Sequence, residues 1–283
     1  MKSKYYNNII EYYTSCQADY ELVWHLKTHH CMHYGYWDNE TKYLRDALHK
    51  MNDVIANLGE IKRKDIVADL GCGIGGTANY LADKYNCFVK GISLSAKQIN
   101  QARDLAKKMK VEQLVTFITG DYCVTEFGEN EFDVAYAIES SCYAVEKKVF
   151  LQEAFRILKA NGKLIVLDFF WTREPKNYFE KTIMKKWTEA WSIIDYENEI
   201  TFMNKLGEVG FMNIQKLNIN DKVLPSIKRL YFYFFPGILF SIILFFLRIR
   251  GINQTKNTLS TLYQYILYKR GIWNYNIFYA EKL

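Results

Sequence analysis

The chain has 283 residues, 49% of them hydrophobic and 24% charged, which suits one large domain or one domain with a sizeable elaboration. Its net charge of +6 reads as spread along the chain, with no clustered Lys and Arg stripe to serve nucleic acid; Lys107-Lys108 and Lys185-Lys186 read as solvated helix faces. Six scattered cysteines, with no CxxC pair and no metal-ligand spacing, point to a reduced, cytoplasmic chain without a metal centre, and Met1 to Asn8 lacks the apolar stretch of a signal peptide.

The first sixty residues read as helical and aromatic. Tyr12-Tyr13 precede a helix through Leu22, Trp24 and Leu26, followed by the cluster His29 to Trp37. Tyr43 to Leu58 repeats apolar residues at helical spacing. From Asp65 the texture changes. Strands at Ile66–Leu70, 87–92, 115–119, 132–137 and 162–169 alternate with helices at 77–85, 96–109 and 147–158. Such alternation implies an α/β fold with a parallel sheet and right-handed crossovers. Helices at 178–193 and 199–209 follow, the second stopped by Gly210, then strands at 212–219 and 273–282. The aromatic share of 16% fits either an aromatic-lined pocket or compositional bias.

Gly71-Cys72-Gly73-Ile74-Gly75-Gly76 follows the first strand and opens a helix, so a ligand can approach its backbone closely. A GxGxxG match alone also fits a nicotinamide-binding dehydrogenase. Asp69, two residues before the first glycine, sharpens it. A carboxylate there repels a pyrophosphate and attracts an ammonium or sulfonium. Capping of the next helix is the alternative role for Asp69.

The segment Val67-Ala68-Asp69-Leu70-Gly71-Cys72-Gly73 resembles the first motif of class I S-adenosylmethionine-dependent methyltransferases. Matches continue in order to Asp168: Gly120-Asp121 is similar to the acidic site that meets the adenine, Phe132 to Ala137 to the fourth strand, and Ile157 to Leu164 to the turn into the fifth. The resemblance implies a Rossmann-like seven-stranded sheet and S-adenosyl-L-methionine as cofactor. It places Tyr13, Asp69, Gly71, Gly73, Asp121, Tyr122 and Ile138 against that cofactor. One departure stands out. The second strand ends Gly91-Ile92-Ser93-Leu94-Ser95, without the carboxylate that holds the ribose in many such enzymes. This pattern is similar to the group of cyclopropane fatty acid synthases and tocopherol methyltransferases, in which Ser93, Leu94 and Gln98 would take the ribose contact. Gln98 as an ordinary exposed helix residue stays open.

Methyl transfer requires an acceptor in line with the methyl group and exclusion of water. The stretch after the fourth strand should face the site at the carboxyl edge of the sheet. Tyr136-Ala137-Ile138-Glu139 with Cys142 resembles sterol C-methyltransferases, which makes Glu139 the first candidate for a base or cation stabiliser; ordering of the cofactor or a loop is the alternative. Met32 to Trp37 resembles the segment that closes over the cofactor, and its His33 and Tyr36 are further catalytic candidates. A packed structural role for His33 stays open.

Leu230 to Leu247 is almost wholly apolar and bracketed by Lys228-Arg229 and Arg248-Ile249-Arg250. The last two strands should pair in one sheet, which argues against a single membrane crossing between them; a re-entrant hairpin stays open. Pro236-Gly237 should break the helix. The segment reads as a lid that covers a greasy substrate, with peripheral membrane contact through residues 228–250; a purely internal helix is the alternative. The expected organisation is an N-terminal helical cap at 1–60, a core at 61–220, a lid insertion at 221–272 and the core's final strand at 273–283. The expected function is C-methylation of an apolar isoprenoid or sterol-like alkene, with an O- or N-methyltransferase of a small aromatic or lipid-like metabolite as the alternative. Cyclopropane synthesis, a nicotinamide oxidoreductase and a non-catalytic scaffold also stay open.

Overall fold

Strands send alternate side chains to opposite faces, and here both faces are apolar. The computed structural model describes residues 2–283. In it Val67, Val134, Ile165 and Leu167 pack into one core, while Ala68, Ala135, Leu164 and Val166 pack into a second. The strands are β1 (Ile66–Leu70), β2 (Phe88–Ser93), β3 (Val115–Thr119), β4 (Phe132–Ile138), β5 (Leu158–Trp171), β6 (Met212–Asn218) and β7 (Trp273–Lys282). They form one seven-stranded sheet in the order β3-β2-β1-β4-β5-β7-β6. β1 to β5 are parallel; β7 runs antiparallel to both β5 and β6.

The helices are α1 (Lys2–Val23), α2 (Leu26–His29), α3 (Leu44–Gly59), α4 (Gly76–Tyr85), α5 (Ala96–Met109), α6 (Lys147–Ile157), α7 (Tyr178–Ala190), α8 (Glu199–Val209), α9 (Asn220–Phe246) and α10 (Ile252–Lys269). α3, α4 and α5 cover the first face through Ile55, Leu81 and Ala102. α6 and α8 cover the other through Phe150, Leu151 and Phe202. Crossovers of this kind leave the carboxyl ends of β1, β2 and β4 at one edge, where α1, α9 and α10 gather.

Three expectations need correction. α1 begins at Lys2, ahead of Tyr13, and stops at Val23; His25 takes φ 50, which separates α2 from it. β5 begins at Leu158, four residues before Gly162, because Leu158 pairs with Phe132 across a register shift. α9 runs unbroken through Pro236. A proline inside a helix removes one backbone hydrogen bond. Here the neighbouring helix holds the segment together: Tyr231 stacks on Tyr265 of α10, and Gly237 lies close to Thr258.

Candidate active site

Asp69, next to last in β1, is fully buried. Its Oδ2 accepts a hydrogen bond from the Tyr136 hydroxyl (2.7 Å), and its Oδ1 is buried with no partner. Burial pushes its carboxyl up to about 7, opposed by the Tyr136 bond. The loop beyond it is built for close approach. Gly71 (φ 113) lies where a Cβ would strike Ser140, and a Cβ on Gly76 would strike the carbonyl of His30. The loop is therefore clamped between the end of β4 and the strap of residues 30–34. At the end of β2 the Ser93 hydroxyl donates to Gln98 Oε1 (2.9 Å), and Ser95 caps α5.

Glu139 follows β4 with φ 50, a backbone conformation rare for a side chain of this size. Its Oε1 accepts from the Tyr34 amide (2.7 Å) and the Tyr275 hydroxyl (2.8 Å). Burial raises its carboxyl to about 8; the two hydrogen bonds oppose that rise and Asp168 adds to it. A group held near neutrality by its surroundings, within a cleft, is suited to proton transfer.

Asp69, Gly71, Gly73, Ser93, Leu94, Gln98, Tyr122, Ile138 and Glu139 all line one cavity of ≈ 260 Å³. Tyr13 lines it too, its hydroxyl donating to Tyr143 (3.1 Å). Beyond Glu139 the walls are aromatic: Tyr20, Tyr143, Phe169, Trp191 and Tyr196. Leu230, Phe234 and Gly237 of α9 and Asn257 and Thr261 of α10 close the far end. Arg250 also lines this end, bound through both terminal nitrogens to the Asp19 carboxylate of α1 (2.7 Å each).

Three candidates sit differently from expectation. His33 lines the cavity, but Nδ1 lies 3.0 Å from the Tyr34 carbonyl and Nε2 3.1 Å from the Asn52 amide oxygen. Burial lowers the imidazole to about 4. With both nitrogens engaged by protein, it is the packed, hydrogen-bonded histidine of the alternative reading. Tyr36 is not among the cavity-lining residues; its amide donates to Ala47 and its ring lies under Lys222. The strap alternates, so Tyr34 faces inward and Tyr36 does not. Asp121 also stands outside the lining; its carboxylate accepts from Tyr6 (2.6 Å) and the Cys123 amide (2.8 Å), tying α1 to the end of β3.

Sequence reasoning missed Tyr275, Asp19 and Arg250. Tyr275 had a faint signal in the alternation of Trp273, Tyr275 and Ile277 along one face of β7. Asp19 and Arg250 are 231 residues apart, and nothing local links them. Among the described residues no group of three His, Cys, Asp or Glu side chains is placed to hold a metal ion.

Comparison with known proteins agrees with this geometry. Residues 68–166 match a family model described as a methyltransferase domain. The chain is 33% identical over 144 residues to the 27-O-demethylrifamycin SV methyltransferase of Amycolatopsis mediterranei, covering 51% of this chain and 53% of that protein. It is 30% identical over 168 residues to the sterol 24-C-methyltransferase of Saccharomyces cerevisiae, covering 59% and 43%. The chain thus spans about half the length of these two relatives. A solved geranyl diphosphate methyltransferase superposes with a TM-score of 0.78 at 16% identity, over 99% of this chain and 100% of that one. Residues 68–166 thus match a methyltransferase domain, and the chain shares its overall fold with that solved methyltransferase.

Proposed function

We propose that this chain methylates a carbon of an apolar isoprenoid or sterol-like alkene, with S-adenosylmethionine as donor. One observation carries the reading: Asp69, which has a buried carboxylate oxygen without a partner, and Glu139 line the same aromatic-walled cavity. The residues present fit the donor. A buried acidic oxygen without a partner suits an ammonium group, and Gly71 and Gly73 line the cavity beside it. In this reading Asp69, Gly71, Gly73, Ser93, Leu94, Gln98, Tyr122 and Ile138 hold the cofactor, and Tyr13 closes over it. Asp121 supports that end from behind.

When bound, S-adenosylmethionine supplies a methyl group on a sulfonium that departs as a thioether. The alkene's π pair forms the new carbon–carbon bond and leaves a carbocation. The faces of Tyr13, Tyr143, Phe169 and Tyr196 stabilise positive charge without reacting with it. Glu139 then accepts the proton whose loss regenerates a double bond. Its raised pKa makes it a stronger base than an ordinary carboxylate once ionised, and the Tyr34 and Tyr275 hydrogen bonds favour the ionised form. Among the described residues the only Lys or Arg lining the cavity is Arg250, already paired with Asp19, so a diphosphate would meet no uncommitted cation among them. That supports an uncharged acceptor.

Residues 1–60 act as cap, 61–220 with 273–283 as core, and 221–272 as lid over this acceptor. The protein is cytoplasmic and touches a membrane through residues 228–250, where α9 leaves apolar side chains exposed.

The test is purified protein with methyl-labelled S-adenosylmethionine and three acceptor panels: polyprenyl alkenes, sterols and phenols. Label in a non-hydrolysable carbon position of an alkene, lost in Glu139→Gln, is the expected result. Label confined to phenolic oxygen would reject C-methylation, and full activity in Glu139→Gln would reject the assigned base.

A further inference from the structure

The surplus charge is not spread after all. Residues 222–270 hold eight Lys and Arg and no Asp or Glu, so this stretch carries +8, the whole chain +6 and the remainder −2. Lys228 and Arg229 precede the apolar run; Arg248 and Arg250 follow it. Lys228, Arg248 and Lys256 are exposed.

Between these cations α9 shows an outer stripe of Phe232, Phe235, Leu239, Ile242 and Phe246. Spacings of three and four residues keep them on one side of the helix. Phe232 is 67% exposed, Leu239 63% and Phe246 79%. The other side of the same helix, through Leu230, Phe234 and Gly237, lines the cavity. α9 thus forms part of the wall between the cavity and the outside. A contiguous apolar surface of this kind marks an interaction site.

α9 is long and apolar enough to cross a membrane by length and composition. The fold forbids the crossing. β6 before it and β7 after it are hydrogen-bonded neighbours, and α10 between them packs on α1, α7 and β7. α9 must lie along a surface. A second copy of the chain would bring two basic-flanked stripes together, like charge against like. Anionic headgroups would instead match the cations around the stripe.

We propose that α9 and the start of α10 seat the protein on an anionic lipid bilayer, with the Phe232–Phe246 stripe at the acyl boundary and Lys228, Arg248 and Lys256 among the headgroups. This deepens, and rests on, the membrane contact proposed above by fixing the lipid's charge and the helix face that enters. An apolar acceptor dissolved in that bilayer then lies beside a helix that lines the cavity of Glu139.

The experiment is sedimentation of the full chain with vesicles of phosphatidylcholine alone and of phosphatidylcholine mixed with phosphatidylglycerol. Wild type is expected to pellet with the mixed vesicles and at least about tenfold more weakly with the neutral ones. Phe235→Glu with Leu239→Glu and Phe246→Glu should abolish binding to both. Lys228→Glu with Arg248→Glu and Lys256→Glu should erase only the preference for anionic lipid. All six side chains are exposed, and thermal melting of each variant checks that it folds. Three results would overturn the proposal: no pelleting of wild type with either vesicle, equal pelleting of wild type and the stripe variant, or a wild-type dimer that the stripe substitutions dissociate without any vesicle binding. The assay needs neither cofactor nor turnover. Calorimetry with S-adenosylhomocysteine on the same sample therefore separates a failed membrane site from a failed methyltransferase.

Discussion

Two carboxyl groups at this site are held above their ordinary range, Asp69 to about 7 and Glu139 to about 8, both chiefly by burial. A carboxyl whose folded pKa exceeds its unfolded value binds more protons in the folded state. It therefore lowers stability as pH rises through the window between the two, here from about 4.5 to about 8 for Glu139. The cofactor-free protein is expected to lose stability from pH 5 to pH 8, and Glu139→Gln to flatten that decline by about 1.4 kcal/mol per unit at most. Melting temperatures across this range check it; parallel curves for the two proteins would contradict the assignment. Activity follows the same group. If ionised Glu139 is the base, kcat/KM rises with pH along a limb that Glu139→Gln removes, with turnover down by about 10²- to 10⁴-fold. Tyr275→Phe withdraws a donor that favours the ionised form, so the limb should move to higher pH while S-adenosylhomocysteine still binds. An unmoved limb would show that Tyr275 only packs.

At the scale of elements, the glycine loop and the strap are one unit because His30 lies where a side chain on Gly76 would be. Gly76→Ala must push the strap away from the loop. The expected cost is about 1–3 kcal/mol in thermal stability together with weaker S-adenosylhomocysteine binding by calorimetry. Unchanged values for both would show the strap free to move. This unit was half legible beforehand. The loop, Asp69 and the five parallel strands could be read because strand, turn and helix alternate locally, each with its own period. The start of α1 could not, since Tyr5, Tyr6, Tyr12 and Tyr13 suit buried and exposed positions alike. Pro236 misled because the contact that offsets it comes from α10, not from its own helix. Tyr36 was placed in the site and Tyr34 overlooked because segment resemblance does not say which of two alternating side chains turns inward. Tyr275 reaches Glu139 from 136 residues downstream, through a strand pairing that no local pattern records.

At the scale of the whole molecule, the N-terminal helix and the turn between α9 and α10 meet beside the cavity. Arg250, in that turn, binds Asp19 of α1 with two hydrogen bonds, and Asn257 reaches the same carboxylate. Both charges are largely buried, with side-chain exposures of 12% and 15%. Removing one partner leaves the other uncompensated, which costs about 3–5 kcal/mol for a buried pair. Asp19→Asn and Arg250→Gln should each lower the melting temperature and speed proteolytic cleavage within α1. The double variant, which buries no lone charge, should recover much of that loss, giving a coupling of roughly 1–3 kcal/mol in a double-mutant cycle. Asp19→Asn has a second consequence, because it frees Arg250, which lines the cavity. The variant should bind geranyl diphosphate measurably in calorimetry where wild type does not. Equal binding by the two would mean that the Asp19–Arg250 pair does not exclude anions, and the argument for an uncharged acceptor would fall with it.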